Sequence, residues 1–72
     1  MAFTDDDAQM VDDHIVQAER HVTRQEELVL WLRMRGFPTE IAEELLTEFR
    51  FSLEQHRLHR ELIRLGSGIH PN

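Results

Sequence analysis

The sequence predicts an all-α fold: an antiparallel two-helix hairpin that pairs with a second copy into a four-helix bundle. Three observations carry this. Apolar residues recur at steps of three and four on both sides of residue 36. Arg33-Met34-Arg35-Gly36-Phe37-Pro38-Thr39-Glu40 reads as a helix stop followed at once by a helix start. Finally, the two helices carry more apolar surface than one shared seam can use.

Helix one opens on an acidic segment, residues 1–9, expected to supply its first turns. Thr4 and Asp7 stand at capping-box spacing, and Asp5, Asp6 and Asp7 suit the positive end of the helix dipole. A frayed tail as far as Gln9 is the plainer reading. The hairpin proper spans 10–65. From Val11 the seam runs Val11, Ile15, Ala18, Val22, Gln25, Val29, Leu32, in heptad register with Gln25 its one polar member. A helix over roughly 5–35 is about 46 Å long.

The turn, 36–39, has a mechanism. Gly36 takes the left-handed conformation that ends a helix, and Phe37 then folds back onto Leu32 or Trp31. Pro38 cannot continue a helix and holds Phe37 extended. Thr39 caps the second helix, whose first turns carry Glu40, Glu43 and Glu44. So short a connection makes the helices antiparallel neighbours.

The second seam reads Ala42, Leu45, Leu46, Phe49, Leu53, His56, Arg60, Ile63, with a stop at Gly66 and a disordered tail over 66–72. Folding back sets Leu32 near Ala42, Gln25 near Phe49, Val22 near Leu53 and Val11 near Ile63.

Beside the seam lies a second apolar flank. Met10, His14, His21 and Leu28 on helix one, with Ile41, Leu45, Ser52 and His59 on helix two, fall on one side of the hairpin. Glu19, Glu26, Arg33, Arg50, Arg57 and Arg64 fall on the other. The first set is the expected dimer interface. Phe51, Leu58, Leu62 and Leu65 line the back of helix two at steps of seven, four and three, and form a second contact surface in a tetramer or for another protein. Leu30, Trp31 and Met34 also lie off the seam. Scattered surface apolars are the plainer reading of both groups.

Composition narrows the partners. The net charge is −6, with five Asp in residues 1–13 and no base there; the eight bases are all Arg, interleaved with nine acids. That balance argues against nucleic acid and against an anionic membrane surface. No apolar run reaches membrane-spanning length, and the acidic start is unlike a secretory signal, so a soluble cytoplasmic protein is expected. With no cysteine, disulfides cannot stabilise so small a core, which leaves self-association, a partner or a metal.

Chemistry is sparse. Five histidines are many for this length, and His14, His21, His56 and His59 lie towards the end away from the turn. A zinc ion would accept them with a carboxylate such as Glu61. Packed or surface histidines are the plainer reading, and the Glu-x-x-His pattern of di-metal bundles is absent. Interface histidines would also gain charge at about pH 6 and loosen a dimer. Catalysis has no foothold: there is no cysteine, phosphate loop or nucleophile elbow, and Ser52 one turn from His56 lacks any oxyanion hole. Arg57, Glu61 and Arg64 are spaced as an ordinary helix ion-pair ladder. No enzyme and no cofactor is expected.

Between Ala18 and Ile63 the chain resembles a group of uncharacterised short helical-hairpin proteins of proteobacteria. Ala18-Glu19-Arg20-His21-Val22, Gln25, Leu28-Val29, Leu32, Gly36, Thr39, Ala42-Glu43-Glu44-Leu45-Leu46, Phe49, Ser52-Leu53 and His56-Arg57 carry the likeness. The resemblance implies a hairpin that recurs as a free-standing small protein. It implies no activity and assigns no site.

Overall fold

In the computed structural model, which describes residues 5–68, the chain forms two helices packed against each other. Helix α1 spans Asp5–Met34 and helix α2 spans Glu40–Gly68. The hairpin is long and thin, with extents of 60 × 16 × 12 Å. Twelve ångströms is about one helix diameter. The molecule is therefore a single layer, whereas a domain core normally lies between two.

The seam follows the heptad spacing. Val11, Ile15, Ala18, Leu53 and Ile63 form one buried cluster, with Ala8 and Val22 packed on its edge. Val11 is the most enclosed, 1% exposed. Val29 and Leu46 are buried nearer the turn. Gln25 is buried to 7% exposure, and its Nε2 donates to the Ala42 carbonyl at 2.9 Å. A buried amide without such a partner would destabilise the seam; with one it links the helices at one level.

The helix stop forms as the sequence chemistry dictates, whereas the Thr39 hydroxyl donates to Glu43 instead of capping a backbone N–H of α2. Gly36 has φ of 78°, the left-handed region. The Phe37 N–H donates to the Leu32 carbonyl at 2.9 Å and the Gly36 N–H to the Arg33 carbonyl at 3.1 Å. These two bonds make a Schellman end. The Phe37 ring stacks on Trp31 at 6.0 Å, and the Arg35 guanidinium sits 4.8 Å from the Trp31 ring centre. On the far side Glu43 ties the turn shut. Its carboxylate accepts from the Thr39 hydroxyl at 3.1 Å and from Arg33 at 2.9 Å.

Some expectations need correcting. Helix α2 runs through Gly66 to Gly68, because glycine weakens a helix without being obliged to end it. Arg60, placed in the seam by spacing, is exposed, as its charged head requires water. Leu45 belongs to the flank rather than the seam, 39% exposed. The acidic start is helical from Asp5. Thr4 and the tail beyond Gly68 lie outside the described residues.

Candidate functional site

The two flanks of the hairpin differ in chemistry. On one, three ion pairs cross between the helices: Arg50–Glu26 at 2.9 Å, Arg57–Glu19 at 3.5 Å and Arg33–Glu43 at 2.9 Å. All their side chains are exposed by 42% or more. Arg57 also pairs with Glu54 at 2.7 Å, so it turns away from Glu61, its partner in the expected ladder. Glu61 is held by Arg64 instead. The Arg64 hydrogen bond keeps the Glu61 carboxyl below its ordinary range, slight desolvation opposes this, and the charges of Arg64 and Arg60 assist.

The other flank is built from rings and apolar side chains. The His14 and His56 ring centres are 5.3 Å apart, tilted by 51°. One level nearer the turn, His21 stacks on Phe49 at 5.4 Å. These rings, with Gln17, Ala18 and Ser52, line an open groove of about 300 Å3 along the helix junction. None of the lining residues is an acid or an arginine. Beyond the groove the same flank continues through exposed Met10, Leu28, Ile41 and Leu45.

The expected interface residues thus divide. His14, His21 and Ser52 meet in the groove, and His56, expected in the seam, joins them half-buried. Phe49, a seam residue by spacing, is half-buried and stacks on His21; long-range ring pairs leave no mark in local spacing. Met10, Leu28, Ile41 and Leu45 extend the flank without lining the groove, and His59 is exposed. Among the described residues no group of three or more His, Cys, Asp or Glu is placed to hold a metal ion. Glu61, the carboxylate suggested as a ligand, is engaged by Arg64.

Behind α2, Phe51, Leu58, Leu62 and Leu65 are all exposed. Among the described residues seven apolar side chains are buried while thirteen large ones stay in water. No helix there is long and apolar enough to cross a membrane.

The fold thus defines a two-helix all-α hairpin. Comparison with protein families, with curated proteins and with solved structures finds no match in any of the three.

Proposed function

We propose that this chain is a non-enzymatic self-association module: two hairpins pack through the histidine-bearing flank into a four-helix bundle. The observation that carries this is the asymmetry of a one-layer hairpin. One flank satisfies its charges across the helix pair. The other presents a ring-lined groove from whose lining acids and arginines are missing, and the same flank exposes Leu28, Ile41 and Leu45 towards the turn. Depletion of charge is the compositional mark of an interface core. A second copy on that flank supplies the missing layer, and a twofold dimer needs only one self-complementary surface.

Sedimentation of the purified chain over a range of concentrations tests it. The expected result is a concentration-dependent dimer; a chain that stays single at every concentration overturns the proposal.

The back of α2 supports a second contact surface, formed by Phe51, Leu58, Leu62 and Leu65, either in a tetramer or for another protein. Phe51→Asp or Leu58→Asp is expected to leave the dimer folded, because each side chain is more than half exposed, and to remove any larger assembly. Equal damage to folding, read by circular dichroism, would place the stripe in a core instead.

A further inference from the structure

The paired His14 and His56 rings lie in the groove, one from each helix. We propose that His14 and His56 form half of a zinc site, and that the same two histidines of a second copy complete it. The inference rests on reading this flank as the dimer interface.

The geometry is the first argument. Imidazole nitrogens bind zinc at about 2.0–2.1 Å, and tetrahedral coordination then sets two ring centres about 5 Å apart. The His14 and His56 centres are 5.3 Å apart, from different helices, before any metal is considered. Two residues far apart in the chain, one on each helix, thus already hold the ring-centre spacing of a shared ion.

One hairpin alone falls short of a closed site among its described residues. Within the groove no carboxylate stands beside the pair, and His21 lies about two turns along α1, occupied with Phe49. One chain therefore offers two ligands, short of the four of a closed zinc site. A twofold axis duplicates those two and closes the set with imidazoles alone. Neutral imidazole is a good ligand for zinc, and four of them bring no negative charge to the ion, nor does any residue lining the groove. That balance makes a reversible, moderate-affinity site rather than a permanent structural one. With the two faces fully overlapped, the meeting of the two pairs also fixes direction: both hairpins run the same way, turn beside turn.

The test is sedimentation of the full chain with and without zinc chloride, paired with calorimetric titration of zinc. The expected result is one zinc per two chains and, with free zinc at about ten times its dissociation constant from the dimer, a dimer dissociation constant lowered about tenfold, as linkage gives for an ion that binds only the dimer. His14→Gln and His56→Gln, each checked for unchanged helix content by circular dichroism, should each abolish the zinc effect. If the chain dimerises without zinc and zinc changes nothing, the site is overturned and the interface stands. One zinc per chain without association overturns the site as well. A chain that is single both with and without zinc overturns site and interface together. Variants that keep the full zinc response would show that other groups bind the ion, and would also overturn the assignment.

Discussion

The two flanks of the hairpin are made by the same two helices, yet they behave as opposites. On the charged flank, Glu19, Glu26 and Arg33 reach across to Arg57, Arg50 and Glu43. These pairs work in water, and each is worth only about 0.2–1 kcal/mol there. On the other flank His14 meets His56 and His21 meets Phe49 around a groove, and leucine and isoleucine side chains are exposed further along. Such a surface gains little from water and much from being covered. The difference teaches that cross-helix ion pairs can mark the side of a small hairpin that faces solvent. The side without them is the one proposed above to take a further layer.

Breaking the apolar flank should have the largest effect. Leu28→Glu sets a carboxylate where the proposed second copy packs, and burying it unpaired costs about 3 kcal/mol or more per copy. Loss of the dimer and a poorly folded chain are expected, read by sedimentation and circular dichroism. A Leu28→Glu chain that remains dimeric would place the interface on another face. Cutting the seam between the flanks comes next. Gln25→Ala removes the bond to the Ala42 carbonyl, and a lost buried partner is worth about 1–3 kcal/mol. A lower melting temperature with unchanged helix content is the expected readout. No change would mean that water replaces the amide.

Smaller effects belong to the charged flank. Glu26→Ala frees Arg50 and should destabilise by no more than about 1 kcal/mol, with association unaffected. A loss of dimer from this change would reverse the assignment of the two flanks. The smallest effect is at Glu61. Its pKa is depressed in the folded chain by Arg64, so the contribution is present above the ordinary carboxylate range and is lost as pH falls through the lowered value. Both partners sit in water, so the effect is screened. Glu61→Gln should therefore leave the melting temperature at neutral pH nearly unchanged and slightly flatten its decline in acid.

Much of this was legible in the sequence because it follows local rules. Val11, Ile15, Ala18 and Val29 are buried as their spacing requires, and Gly36, Phe37 and Pro38 end α1 by a mechanism readable residue by residue. The sorting of Glu19, Glu26, Arg33, Arg50 and Arg57 to one flank also follows from helical phase. What was not legible depends on choices between nearly equal partners. Arg57 could reach Glu61, Glu54 or Glu19, and the small energy of an exposed pair leaves no pattern in spacing. The His14–His56 and His21–Phe49 contacts depend on the exact register of one helix against the other. That register is set by the seam and the turn together, and no local rule contains it.

The account stands on the claim that a one-layer hairpin covers its histidine flank with a second copy. Sedimentation equilibrium of the full chain, from high dilution upward, addresses that claim most directly. It predicts a species of twice the 8.6 kDa of one chain, forming as concentration rises. A compact single copy at every concentration, melting in one sharp transition, would contradict it.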